Sequence, residues 1–188
     1  MVCNFFRSQL VIFFFLVSAN AAQGMCPDTK TGVKKALWGD LHIHTSWSLD
    51  AYGMGTRRDP NDAYEFAKGA PLIQSDNETK AKLDRPLDFA AVTDHSEGFG
   101  FMNYCTEPGW KFDFWCLAYR AISTPIGRNN GIAFLRQVSL VPPKPTYLCQ
   151  KRPEECAAGA KREWLESQKI TEAHNEPCKF TTFQAYEW

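Results

Sequence analysis

The chain has 188 residues, with 21 basic and 21 acidic side chains and a formal net charge of zero. This length suits one domain with a sizeable hydrophobic core. The charge is balanced and no basic run or aromatic-interleaved basic patch occurs, which argues against nucleic acid as a partner.

The N-terminus is predicted to be a secretory signal peptide over residues 1–21. Arg7 precedes an apolar stretch over residues 10–17, and a small-x-small site ends at Ala21. An apolar stretch of this length is typical of a cleaved signal and is too short to cross a membrane. We therefore expect a secreted or periplasmic protein of residues 22–188, with no stable membrane span after cleavage; an uncleaved anchor is the alternative.

Seven cysteines occur in the chain. Removal of Cys3 with the signal leaves an even set of six, and an even set in an exported protein predicts disulfide bonds, although the sequence leaves their pairing open. A zinc ion held by cysteines is the alternative, but no Cys-x-x-Cys pair is present.

The first predicted strand runs through Asp40-Leu41-His42-Ile43-His44. Alternation of side chains along a strand would send Leu41 and Ile43 to one face and both histidines to the other. Neighbours on one face lie about 6.6 Å apart, so two imidazoles can coordinate the same metal ion. The alternative is a strand with two polar residues in solvent.

A helix is predicted to follow the loop after this strand. Asp59 is the expected N-cap and Pro60 a first-turn residue. Apolar side chains recur at helical spacing over residues 63–70, and Gly69 predicts the end of the helix. Residues 71–84 are expected to form a small hairpin.

The next strand is predicted over Phe89–Val92, an unbroken apolar run of the kind found in buried parallel strands. Together with the preceding strand and helix it predicts a βαβ unit. Thr93-Asp94-His95 follows at once and adds an imidazole at the end of a neighbouring strand. This second motif favours the metal interpretation of the first.

Residues 97–178 are predicted to be a Cys-rich helical insertion, with helices over 130–138 and 154–173. The only histidine in this stretch, His174, lies in a polar helical context and is expected at the surface. The final apolar run over residues 183–188 is predicted to be a buried strand. Because it lacks a polar tail, we expect the chain to be the N-terminal part of a longer protein, truncated at its C-terminus.

The opening motif carries a specific resemblance. Residues 37–45, with Ser48, Asp50 and Ala51, are similar to the first motif of PHP-type metal-dependent hydrolases (polymerase and histidinol phosphatase domain). More narrowly, residues in three stretches resemble the often exported DUF3604 family: 55–64, 85–95 and 180–188. The likeness is close over residues 37–98, good over residues 179–188 and loose over the insertion between them.

The resemblance implies an α/β fold, an incomplete distorted (β/α) barrel of PHP type with the Cys-rich helical insertion. It also implies two or three divalent metal ions, Zn, Mn or Fe, at the C-terminal ends of the strands. By motif, His42 and His44 would bind the first ion, Asp50 and His95 a third, and Glu187 would bridge two. The other ligands would follow position 188, so we expect this piece alone to bind metal weakly and to have little activity.

The expected function is metal-dependent hydrolysis of a small-molecule phosphate ester by activated water. Asp94 is a candidate catalytic residue that would orient an imidazole, and Arg57 and Arg58 are candidates for binding a substrate anion. Two alternatives stay open. One is an amidohydrolase-like metal hydrolase, which also begins with His-x-His, and the other is a secreted non-catalytic binding module on the same scaffold.

Overall fold

The structure is a computed structural model, and it describes residues 34–73, 80–106, 114, 116–117, 120 and 147–188. The predicted signal peptide and the predicted helix over 130–138 lie outside these residues. No helix in the described part of the chain is long and apolar enough to cross a membrane.

The described elements are five strands, five α-helices and a 3-10 turn. In chain order they are β1 (Gly39–Ile43), α1 (Leu49–Gly53), α2 (Pro60–Ala67), β2 (Leu72–Ile73), β3 (Lys80–Ala81), β4 (Phe89–Val92), a 3-10 turn (Ser96–Gly98), α3 (Phe99–Thr106), α4 (Tyr147–Lys151), α5 (Pro153–His174) and β5 (Thr181–Gln184).

β1, β4 and β5 form a parallel sheet with β4 in the centre, and β2 and β3 form the predicted antiparallel hairpin. The α/β class and the βαβ unit β1-α2-β4 are confirmed. The described strands make a three-stranded sheet and no closed barrel.

α2 begins as the sequence predicts. The Asp59 side chain accepts a hydrogen bond from the Asp62 backbone N–H at 3.0 Å, and the Asp62 side chain accepts one from the Asp59 N–H at 3.2 Å. This reciprocal cap, with Pro60 at the first helical position, satisfies two of the backbone N–H groups at the helix start. α5 likewise begins with a proline, and it extends the predicted helix by one residue at each end.

α2 and α5 cover one face of the sheet. The buried side chains that meet there come from both helices and from the sheet: Tyr64 and Ala67 from α2, Ile170 from α5, Ala90 and Val92 from β4, and Phe180 just before β5. α5 therefore lies within the predicted insertion and is also the helix that covers the sheet between β4 and β5.

A second core is formed by α1 and the Cys-rich part of the chain, and it includes Tyr52, Met102 and Leu148. Disulfide bonds join Cys105 to Cys116 and Cys149 to Cys156, and Cys178 is also disulfide-bonded. The disulfide prediction is confirmed for these cysteines, which leaves none of them to ligate zinc.

Two strand predictions are wrong, one on the burial of β5 and one on which side chains of β1 share a face. β5 was expected to be buried, but Phe183 is 47% exposed because β5 is an edge strand with α5 on one face only. β1 does not alternate regularly: Asp40 pairs with Ala90 and Ile43 with Val92, so a bulge in β1 puts Asp40 and Ile43 on one face. Leu41 therefore does not share the face of Ile43, and it is 56% exposed.

Substitution of Gly100 tests the packing of α3 on α5. A Cβ at this position would collide with the carbonyl oxygen of Cys156, which is backbone and cannot move aside as a side chain would. Gly100→Ala should lower the free energy of unfolding by about 1–3 kcal/mol, measured by urea denaturation. Gly53→Ala is the control, because nothing lies within 4 Å of its Cβ; equal loss in both variants would contradict this packing.

Candidate metal centre

Three of the four histidines of the chain meet where the parallel strands end. His42 and His44 come from the end of β1 and His95 from the turn after β4. The His42 and His44 rings stack with their centroids 4.9 Å apart, and the His95 ring meets the His44 ring edge-on at the same distance. The stacked rings place His42 and His44 on the same side of the chain, as the alternation of side chains along a strand predicts.

Glu187 lies at the centre of these imidazoles. Its Oε2 atom is 2.7 Å from His44 Nε2, 3.2 Å from His42 Nε2 and 3.9 Å from His95 Nε2. The backbone holds it in place: the Glu187 N–H donates to the Asp94 carbonyl at 3.2 Å, and its own carbonyl accepts from the Ser96 N–H at 2.9 Å. Glu187 is thus fixed to the end of β4 by main-chain bonds that do not depend on its carboxylate.

Asp50 approaches the same histidines from the first turn of α1. Its Oδ2 atom is 2.8 Å from His44 Nδ1 and 3.7 Å from His95 Nε2. Its Oδ1 atom accepts from the Ser48 hydroxyl at 2.5 Å and from the Ala51 N–H at 2.6 Å. One carboxylate oxygen therefore anchors the side chain while the other faces the imidazoles.

Two overlapping groups of ligand atoms result, one of His42, His44 and Glu187 and one of His44, Asp50 and His95. Within each group the atoms lie within 4.8 Å of one another. Ligands of a tetrahedral ion at about 2.1 Å lie roughly 3.4 Å apart. The separations from 2.7 to 3.9 Å bracket this value, and imidazole nitrogens and carboxylate oxygens are both ligand types of divalent metal ions.

The charges of the cluster are strongly coupled. A hydrogen bond to Asp50, together with the nearby carboxylates, raises the pKa of His44 to about 8 against the opposing effect of burial. Burial acts to raise the pKa of Asp50, but hydrogen bonds from His44, Ser48 and the Ala51 backbone outweigh it and hold that pKa well below its usual value. Without a metal, His44 is the cation that the two carboxylates share.

Asp94 lies behind the cluster and touches no imidazole in the described hydrogen bonds. Its carboxylate accepts from the Thr45 N–H at 2.5 Å and from the Thr45 hydroxyl at 2.7 Å, and burial raises its pKa to about 6. Since Thr45 follows His44 directly, Asp94 fixes the backbone that presents His44. The structure thus places Asp94 as a positioning residue for the end of β1.

The two candidate anion-binding residues, Arg57 and Arg58, have different surroundings. The Arg57 guanidinium stacks 3.7 Å above the Tyr52 ring and donates to the carbonyls of Tyr52 and Thr56, each at 2.8 Å. Arg58 lines a cavity that His44 also borders. Of the two candidates for anion binding, Arg58 is therefore the one on a surface shared with the cluster.

Sequence reasoning assigned no role to three residues beside the ligands. Ser48, fully buried, donates to Asp50 and accepts from the His95 N–H at 3.1 Å. Thr45 is the partner of Asp94. Glu97 Oε1 lies 3.0 Å from His95 Nδ1, a buried nitrogen without an aligned hydrogen-bond partner among the described residues. A carboxylate beside a ring nitrogen orients a metal-binding histidine. The position of Glu97 two residues after His95 was the sequence signal that could have predicted this contact.

The surface placement expected for His174 is wrong. Its side chain is buried against the Tyr64 ring, with Nε2 3.2 Å from Asn61 Oδ1. It lies outside both ligand groups, so it offers a matched control for the other three histidines.

A family model described as "Protein of unknown function (DUF3604)" matches residues 31–188. Searches of curated proteins and of solved structures found no match.

Substitution of Asp94 tests its positioning role. Asp94→Asn should lower the free energy of unfolding by about 1–3 kcal/mol, because an amide nitrogen would face one of the two Thr45 donors and leave it unsatisfied. Denaturant titration of the metal-free protein measures this loss. Asp84→Asn, at an exposed position, is the control; equal stability of the two variants would show that the bonds to Thr45 contribute nothing.

Proposed function

The chain belongs to the DUF3604 family, and we propose that it is a metal-dependent hydrolase whose sheet is part of a PHP-type β/α barrel. The proposed reaction is hydrolysis of a phosphate ester. The observation that supports a metal centre is that His44 belongs to two groups of potential ligands, with Glu187 beside one of its ring nitrogens and Asp50 beside the other.

A solvated surface network is the plain alternative to a metal centre. Against it stands the convergence of three imidazoles and two carboxylates at the carboxyl ends of parallel strands, where α/β enzymes place their chemistry. Two carboxylates lie beside one imidazole, and their combined charge exceeds that of a single protonated histidine. Divalent cations would balance this negative charge.

Divalent ions, when bound, supply Lewis acidity that activates a water molecule and polarises a phosphoryl oxygen. The residues of the chain have separate tasks. His42, His44, Asp50, His95 and Glu187 would hold the ions. Ser48 and Asp94 fix the segments that present Asp50 and His44, and Arg58 adds positive charge on the wall beside His44 for an anionic substrate.

Metal binding is the first test of the proposal. The purified chain, metal-free and then titrated with Zn²⁺ or Mn²⁺, should bind metal, and His44→Ala should weaken binding about 100-fold or more because both ligand groups lose a member. Calorimetry and elemental analysis measure this. His174→Ala should leave the affinity unchanged, and equal weakening in both variants would point to a fold defect instead of a lost ligand.

Turnover is then measured on a panel of phosphomonoesters and phosphodiesters, with the same proteins and with the product of the whole gene. We expect phosphate release that chelator abolishes and His44→Ala removes. Metal binding without turnover on any member would exclude the phosphoesterase assignment and leave a metal-binding module.

The pH dependence of metal binding follows from His44. Its pKa is about 8 in the metal-free protein, so most molecules carry that proton at pH 7, and an ion must displace it because only the neutral imidazole has a free lone pair. Affinity should therefore rise with pH until about 8 and then level off. Calorimetry in buffers of different ionisation enthalpy should show release of close to one proton at pH 7; constant affinity across this range would contradict the coupling.

A further inference from the structure

A cavity of about 670 Å³ lies beside the cluster, between β1, α2 and the β2–β3 hairpin. Its volume falls within the range of small-molecule sites, about 300–1,000 Å³. His44 is one of the residues that line it, so the cavity adjoins the proposed metal centre.

The wall of the cavity is apolar away from His44. The side chains that line this part come from β1, α2, the hairpin and the loop before β4: Ile43, Phe66, Leu72, Ala81, Leu83 and Leu87. A surface of this kind holds water weakly and gains free energy when an apolar group covers it.

The end of the cavity near His44 is polar. Its lining includes two acidic residues, and both accept hydrogen bonds from the backbone: Asp40 from the His42 N–H at 2.9 Å, and Asp59 from the Asp62 N–H at the start of α2. Arg58, on the same wall, brings a positive charge. The cavity thus combines an apolar body with a polar end at the cluster, where Arg58 and His44 can contact an anion.

We propose that this cavity binds the apolar part of an amphiphilic substrate, a phosphate monoester of a hydrophobic alcohol, with the phosphate at the His44 and Arg58 end. The inference rests on the proposed function and names its substrate class. Hydrolysis forms a bond from the water oxygen to phosphorus and breaks the phosphorus–oxygen ester bond; the alcohol leaves with one water proton, and inorganic phosphate remains.

Calorimetric titration of the chain with ethyl, butyl and octyl phosphate, with and without Zn²⁺, tests the proposal below micellar concentrations. Affinity should rise about fourfold per methylene for as long as the chain enters the cavity. Ala81→Trp places an indole in the cavity and should remove this dependence without weakening ethyl phosphate. Ile73→Trp is the matched control, because Ile73 lies on the same hairpin, is 44% exposed and does not line the cavity.

The outcomes separate the two proposals. A chain-length dependence that Ala81→Trp removes and Ile73→Trp retains supports the cavity site, even if Zn²⁺ has no effect and the metal proposal fails. Zn²⁺-dependent binding of all three phosphates with equal affinity overturns the cavity site and leaves the metal proposal standing. A chain-length dependence that survives Ala81→Trp also overturns it.

Discussion

The contact between Glu187 and His44 joins residues 143 positions apart, and the rest of the site depends on it. It brings the segment after β5 to the segment after β1 at the carboxyl end of the parallel sheet. It also places a carboxylate where three imidazoles can reach it. Since charge-assisted hydrogen bonds are about twice as strong as neutral ones, this contact can hold the cluster together in the absence of an ion.

The protein supports that contact with backbone geometry. β4 is the central strand and pairs with both β1, whose register shifts at the bulge, and β5. The bridge between His95 and Glu187 continues the β4–β5 ladder past the end of β5. The Asp94 carboxylate then fixes β1 while its carbonyl fixes Glu187. One residue thus ties both edge strands to the centre, and a change there is expected to disturb every ligand together.

The two hydrophobic cores serve the site differently. The core under the sheet, with Tyr64 and Ile170, sets the positions of the strands. The disulfide-linked core, with Tyr52 and Met102, holds α1, and α1 carries Asp50. The candidate metal-binding residues therefore come from both parts, and the distance between Asp50 and His44 depends on how the Cys-rich region packs beside the sheet.

The sequence by itself determined the local features: the start of α2 at Asp59, the apolar strand β4, the βαβ unit, and the metal-ligand types at the two strand ends. These depend on side-chain chemistry and spacing within a few residues, which a sequence displays directly. Only the tertiary structure decided the bulge that puts Asp40 and Ile43 on one face, the exposure of β5, the burial of His174, and the roles of Ser48, Thr45 and Glu97. Each of these depends on which strand is central and what packs against it, and contacts between distant residues leave no periodic trace along the chain.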